Sequence, residues 1–258
     1  MKPSSKIPRA ALVTGGAKRL GRAIVSMLAA EGWAVAVHCN SSREEGEALA
    51  RQIRSSGGKA EVLGADLCEE AEVETLVSRA TEALGPLGCL INNASIFERD
   101  EVLYVTRESW DRHMEANLRA PFVLMQAFAR SLPLEAEGVV INLTDERVWS
   151  LTPHFVSYTL SKAGLWTLTQ TMALALAPRI RVNAVGPGPA LPSPRQNQEQ
   201  FDRQCAAMPL KRGTNPEEIA EAVRYILSAS AMTGQMIALD GGQHLGWAQP
   251  ADDTPPEE

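Results

Sequence analysis

The chain has 258 residues, 45% of them apolar, and its 31 acidic against 25 basic side chains give a net charge of −6. That apolar share is enough for a substantial core, and the length suits one large α/β domain as well as two small ones. The acidic balance argues against a nucleic-acid partner, whose footprint is basic, and no apolar run approaches the ~18 residues of a membrane span.

The N-terminal residues carry positive charge, but their apolar run is short and ends in a glycine turn, which is not a signal-peptide pattern. AALVTGG (10–16) reads as a strand entering that turn, and GRAIVSMLAAEG (21–32) as a helix closed by Gly32. WAVAVHCN (33–40) is a second strand; the helix 42–58 follows, with Ser41 or Ser42 available as N-cap and glycines after its end. AEVLGAD (60–66) is a strand, 69–85 a helix and GCLINNAS (88–95) a strand. One or two helices interrupted near Pro121 fill 107–131, and GVVINLT (138–144) is a strand. A long helix spans 154–177, IRVNAVGPG (180–188) is a strand, 215–229 a helix, and QMIALDGG (235–242) the last strand. The stretch 186–201, with four prolines, is the least regular, and reads as a mobile loop or substrate lid.

Seven strands therefore alternate with helices, and the strands are apolar on both faces, as strands covered on each side must be. Right-handed crossovers of this kind give a parallel sheet. The expected fold is α/β: a single-domain, Rossmann-type doubly wound sheet of seven mostly parallel strands over residues 1–248, with a disordered acidic, proline-rich tail at 249–258. Cys39, Cys68, Cys89 and Cys205 show no C-x-x-C pair, and with His113, His154 and His244 they form no metal-ligand spacing, so no metal is expected. Free, mostly buried thiols point to a reducing compartment, hence a soluble cytoplasmic protein. The five tryptophans are scattered and read as core or interface, although Trp149 and His154 fall where they can line a pocket.

The first strand ends in TGGAKRLGRA. Thr14, Gly15 and Gly21 permit a tight turn, and the N–H groups and dipole of the following helix favour a phosphate there. The second strand ends in HCNSSR, where a carboxylate would be expected if an unphosphorylated ribose were held. None occurs between His38 and Arg43; His38, Asn40, Ser41 and Ser42 offer hydrogen bonds, and Lys18 and Arg43 offer charge. That end tolerates a 2′-phosphate and predicts NADPH, although NSSR also reads as the cap of the next helix. Further on, Tyr158 and Lys162 share a helix face at i, i+4. An ammonium beside a phenol stabilises the phenolate and lowers its pKa from the usual ~10, which suits a proton relay near neutral pH. Such a pair is common by accident and gains meaning here from following the fifth strand. Asp145 stands thirteen residues before the tyrosine, as an acceptor for its hydroxyl, a binder of a heterocycle's polar edge, a turn cap or a partner for Arg147.

The turn spacing and the Tyr158/Lys162 pair resemble the short-chain dehydrogenase/reductase family from Ala10 to about Leu245. Two departures from its usual pattern, Arg19 for the middle glycine of the turn and Asp145 for the usual serine, resemble the pteridine reductase branch, which includes dihydromonapterin reductases. NNASIF (92–97), with Ser95 and Phe97 where most relatives have N-N-A-G, strengthens that likeness. The resemblance implies that Thr14, Gly15, Arg19, Leu20, Gly21, Asp66, Leu67, Asn93, Ala94, Ser95, Pro187 and Gly188 bind the cofactor, with Asp66 at the adenine. It implies Asn117, Asp145, Tyr158 and Lys162 as the catalytic set, with Tyr158 and Lys162 also on the cofactor. Arg19, Ser95, Phe97, Asp145 and Tyr158 would bind a flat pterin, and four copies would pack into a homotetramer through their long helices. Two other readings stay open: reduction of another carbonyl substrate (a 3-oxoacyl thioester, sugar or steroid ketone), or a dinucleotide-binding regulator without turnover.

Overall fold

The computed structural model describes residues 3–246, so the expected acidic tail lies outside the described residues. Seven strands form one sheet in the order β3-β2-β1-β4-β5-β6-β7, and every pairing is parallel. They are β1 (Ala10–Val13), β2 (Ala34–Cys39), β3 (Ala60–Gly64), β4 (Cys89–Asn92), β5 (Gly138–Leu143), β6 (Ile180–Pro187) and β7 (Met236–Leu239). The helices are α1 (Arg19–Ala30), α2 (Arg43–Ser55), α3 (Glu70–Leu84), α4 (Arg107–Met114), α5 (Ala120–Ser131), α6 (Val156–Leu176), α7 (Gln198–Ala207) and α8 (Pro216–Ser228). This is the doubly wound sheet read from the sequence.

Each face of the sheet is a separate core. On one, Ile24, Val25 and Leu28 of α1 and Ile219, Val223 and Ile226 of α8 cover Val13, Val37 and Ile141. On the other, Leu76 and Val77 of α3 and Leu124 and Phe128 of α5 cover Leu12, Leu90 and Val140. Alternate residues of one strand thus feed both cores, and each large side chain fully buried contributes about 1.5–3 kcal/mol.

The interruption expected near Pro121 is a π turn (Glu115–Arg119) that joins α4 to α5 just before the proline. Two other local expectations change. Ser42 occupies the N-cap of α2 but its side chain makes no capping bond. The stretch read as a loop to residue 201 gives way to α7 at Gln198, started by a capping box between Asn197 and Gln200.

Candidate active site

The strand order reverses at β1 and β4, and the C-terminal ends of β1, β4, β5 and β6 lie side by side there. In sheets of this type that crevice is where ligands bind. A cleft of about 260 Å³ opens at this edge, lined by Arg19, Leu20, Asn93, Ser95, Phe97, Asp145, Tyr158, Lys162, Pro187 and Gly188 among others. Ten of the residues singled out in the sequence, from five segments of chain, therefore meet in one place.

The floor of the crevice is fixed by hydrogen bonds between strand ends. The Thr14 hydroxyl accepts from the N–H groups of Asn93 (2.9 Å) and Ala94 (3.0 Å), and the Asn93 amide donates to the carbonyls of Thr14 and Gly15. Gly15 has φ +61°, and a Cβ on Gly21 would stand 2.1 Å from the Gly15 oxygen, so only glycine allows the turn to close on itself. The N-cap of α1, Lys18, supplies no side-chain acceptor, and no acid occupies the first turn. The leading N–H groups of α1 thus face the crevice without an anion of their own, a cradle suited to a pyrophosphate.

Arg19 has φ +51° at the position where the family pattern carries glycine. A non-glycine residue in this region costs roughly 1–2 kcal/mol, and such strain collects where a side chain has work to do. Its guanidinium reaches across the cleft and donates to the carbonyls of Pro192 (3.0 Å) and Leu191 (3.3 Å). Arg195 closes the same segment from the far side, donating to the Phe97 carbonyl (3.2 Å) with its guanidinium 4.9 Å from the Phe97 ring. The proline-rich stretch is therefore strapped over the site by two arginines. Replacing Arg19 by glycine is expected to leave the melting temperature unchanged or higher, because the strained backbone is relieved. The same variant should bind a ligand of the cleft several-fold more weakly in a titration, because the strap and its charge are lost.

At the β5 end, Asp145 is extended (φ −157°) and starts a 3₁₀ turn, Glu146–Val148. Its two oxygens divide the roles foreseen for it. Oδ1 accepts the Arg147 N–H at 2.9 Å, with the Arg147 Nε 4.0 Å away, and Oδ2 accepts the Tyr158 hydroxyl at 2.6 Å. The cap and the tyrosine acceptor are thus the same carboxylate. Lys162, one turn along α6, is buried, and its Nζ donates to the Leu143 carbonyl at 2.7 Å and lies 5.8 Å from the Tyr158 ring centroid. Loss of hydration pulls its pKa down to about 8, against the opposing pull of Asp145. Below pH 8 the buried ammonium therefore weighs against folding, and this burden lifts as pH rises from about 8 toward 10.5, where only the unfolded chain still holds the proton.

Phe97 lines the cleft and is itself packed, stacked on Phe155 (4.7 Å between centroids, 14° between planes) and edge-on to Tyr158 at 4.6 Å. Asn117 is fully buried in the π turn. Its oxygen accepts from the Ile96 N–H and the Ser95 hydroxyl, and its amide donates to the Ile96 carbonyl and to Ser161 on α6. It thereby ties the loop after β4 to the helix carrying Tyr158.

The other predicted residues fall outside the cleft. Asn40 and Ser41 are exposed and Ser42 half-buried at the end of β2, beside the uncapped start of α2. The nearby Lys18 pairs with Glu45 at 2.5 Å. Asp66 turns Oδ1 back to the Cys68 N–H, with Leu67 buried beside it. His38, expected among the cofactor contacts, is turned inward. It is buried, its Nδ1 accepts the Gly15 N–H at 3.1 Å, and its Nε2 lies 3.0 Å from the Ala65 carbonyl, so both nitrogens are spent bracing the turn. Burial holds its pKa below the ordinary value, with the charge of Arg79 in the same direction. Trp149 and His154 do not line the cleft either: Trp149 packs on Trp166 and His244, and His154 pairs with Glu101. Sequence reasoning missed Phe155, which carries Phe97, and gave Arg147 only a pairing role, although this buried side chain lines the cleft and lies 5.0 Å over the Phe155 ring. An aromatic two residues before Ser157 and an arginine two after Asp145 were the available signals.

A family model described as enoyl-(acyl carrier protein) reductase matches residues 15–244. A 3-oxoacyl-(acyl-carrier-protein) reductase FabG of Staphylococcus epidermidis is 31% identical over 242 residues, covering 92% of this chain and 99% of its own. Among solved structures, FolM alternative dihydrofolate reductase 1 from Brucella suis, in complex with NADP, superposes with a TM-score of 0.91 at 51% identity, covering 93% of this chain and 97% of that one. Its Brucella canis counterpart, also complexed with NADP, gives 0.89 at 48%, covering 95% and 98%.

Proposed function

The chain belongs to the short-chain dehydrogenase/reductase family, as an NADPH-dependent oxidoreductase, and we propose that it reduces a C=N bond of a dihydropterin or dihydrofolate-type substrate. The observation that carries this reading is the 2.6 Å bond from Tyr158 to Asp145, where the family's usual serine would stand. Higher identity to the dihydrofolate reductases (51%) than to the 3-oxoacyl reductase (31%) supports it.

The uncapped N-terminus of α1 suits the pyrophosphate, and the carboxylate-free Asn40–Ser41–Ser42 end of β2 suits a 2′-phosphate. Asp66 and Leu67 would flank the adenine; Asn93, Ala94, Pro187 and Gly188 would shape the nicotinamide end. Bound NADPH supplies the hydride for the C=N carbon. Tyr158 Oη donates the proton to the ring nitrogen. Asp145 Oδ2 holds that O–H until the ring nitrogen displaces it as acceptor, and Lys162 holds positive charge beside the phenol while it gives up its proton. Phe97 offers a stacking face, Arg19 donates to the polar edge of the ring, and Ser95 Oγ, whose proton is directed at Asn117, accepts from it. Four copies assemble through the long helices, a reading supported by the exposed Leu174 and half-exposed Leu160 on α6. Two thiols fully buried in the sheet, Cys39 and Cys89, suit a reducing cytoplasm.

The test is a panel of dihydrobiopterin, dihydromonapterin, dihydrofolate and a 3-oxoacyl thioester with NADPH, followed by NADPH consumption. A kcat/KM for one of the pteridines well above that for the thioester is expected; the reverse order would refute the reading. The pH profile follows from Lys162: kcat/KM is expected to fall along an alkaline limb centred near pH 8, as the ammonium beside Tyr158 loses its proton.

A further inference from the structure

Behind Tyr158, away from the cleft, lies a buried cluster that the chemistry above leaves unused. His113 and Ser157 are fully buried and Asp100 nearly so. The first turn of α6 has no cap of its own, since its N-cap residue is Phe155 in the left-handed region (φ 57°). Asp100 takes that place from the loop after β4. Its Oδ1 accepts the Ser157 N–H at 3.2 Å, its Oδ2 accepts the Ser157 and Ser109 hydroxyls, and its main-chain carbonyl accepts the Phe155 N–H at 2.9 Å. The Ser157 Oγ also lies 2.7 Å from His113 Nδ1. On the other side of the ring, Nε2 accepts the Glu98 N–H at 3.1 Å.

The proton positions follow from the partners. Glu98 can only donate, so Nε2 is bare and the proton of the imidazole sits on Nδ1, directed at the Ser109 carbonyl (2.9 Å) and Ser157 Oγ. The Ser157 hydroxyl must then donate onward to Asp100. The donors all run one way, from the backbone beside Phe97 to the carboxylate that caps the helix bearing Tyr158. The His113 ring also meets the Tyr158 ring edge-on at 6.1 Å.

We infer that Asp100, Ser157 and His113 are positioning residues that lock the loop carrying Phe97 to the helix carrying Tyr158, so that stacking face and proton donor keep one spacing. The inference rests on the proposed roles of Phe97 and Tyr158. Asp100→Asn breaks the one-way order. If the amide nitrogen faces the hydroxyls, the Ser157 proton turns to Nδ1, the ring proton moves to Nε2, and Nε2–H meets the Glu98 N–H. If it faces the helix, it meets the Ser157 N–H. Adding Ser157→Ala removes the hydroxyl that transmits the conflict.

The experiment pairs kinetics on the full-length protein with nitrogen NMR of the His113 imidazole. The wild type is expected to show a neutral ring protonated at Nδ1. Asp100→Asn is expected to lower kcat/KM for the dihydropterin about tenfold with KM for NADPH unchanged, and the double variant Asp100→Asn/Ser157→Ala should recover part of that loss. A ring protonated at Nε2 in the wild type, or a double variant worse than the single, would overturn the inference. Should Asp100→Asn not fold, the wild-type spectrum still decides. That spectrum needs no substrate, so a wild type that reduces only the thioester defeats the pterin reading while leaving the lock under test.

Discussion

Asp145→Ala is expected to lower kcat and kcat/KM for a dihydropterin together, by about 10–10²-fold, the value of one hydrogen bond to a charged group that matters in the transition state. Steady-state kinetics with NADPH held saturating measures it. The carboxylate has two jobs, so alanine alone does not separate them. Losing the cap on the Arg147 N–H costs about 1 kcal/mol of stability, which lowers the melting temperature without touching the chemistry. Asp145→Asn separates the two: its carbonyl oxygen can still cap the turn, while its amide now donates toward Tyr158 Oη and reverses the bond. The asparagine variant should therefore melt close to the wild type yet lose activity on the scale of the alanine variant. Asp145→Ser, which restores the family's usual residue, should raise the ratio of thioester to pterin turnover.

Tyr158→Phe should cost more, roughly 10²–10⁴-fold in kcat, the usual worth of a positioned proton donor. The ring remains, so its packing against Phe97 and His113 survives and the fold should be intact. What is lost is the hydroxyl, and the Asp145 carboxylate, with 21% of its side chain exposed, can turn to water in its place. A kcat loss of this size, with NADPH binding by fluorescence titration within about twofold of wild type, is the expected pattern. A variant that keeps more than a tenth of wild-type kcat would mean that the proton comes from elsewhere.

The sheet was legible because its signals are local and repeated: apolar runs at strand length, glycine at the turn after β1, amphipathic helices between. Tyr158, Lys162 and Asp145 were legible because spacing on one helix, and one strand end, fixes what stands beside what. What the sequence hides depends on contacts between distant segments. His38 reads as a polar residue at a strand end, and only the fold shows that both its nitrogens are spent on Gly15 and Ala65. The stretch after β6 reads as a loose loop because prolines and polar residues give no period, whereas two arginines, Arg19 from the start of α1 and Arg195 from within the stretch, hold it over the cleft. The left-handed backbone of Arg19 has no sequence mark except that glycine is missing where the family pattern has it. Asp100 is 57 residues from the helix turn that it caps, beyond the reach of any capping rule read along the chain.

A crystal structure of the protein with NADP and a non-reducible pterin tests the central claim most directly. The account predicts the pterin seated against Phe97, its ring nitrogen within hydrogen-bond distance of Tyr158 Oη, and the Asp145 carboxylate still bonded to that hydroxyl or to the ring edge. A pterin bound elsewhere, or Asp145 swung into solvent with Tyr158 left to a carbonyl-type substrate pose, would contradict it.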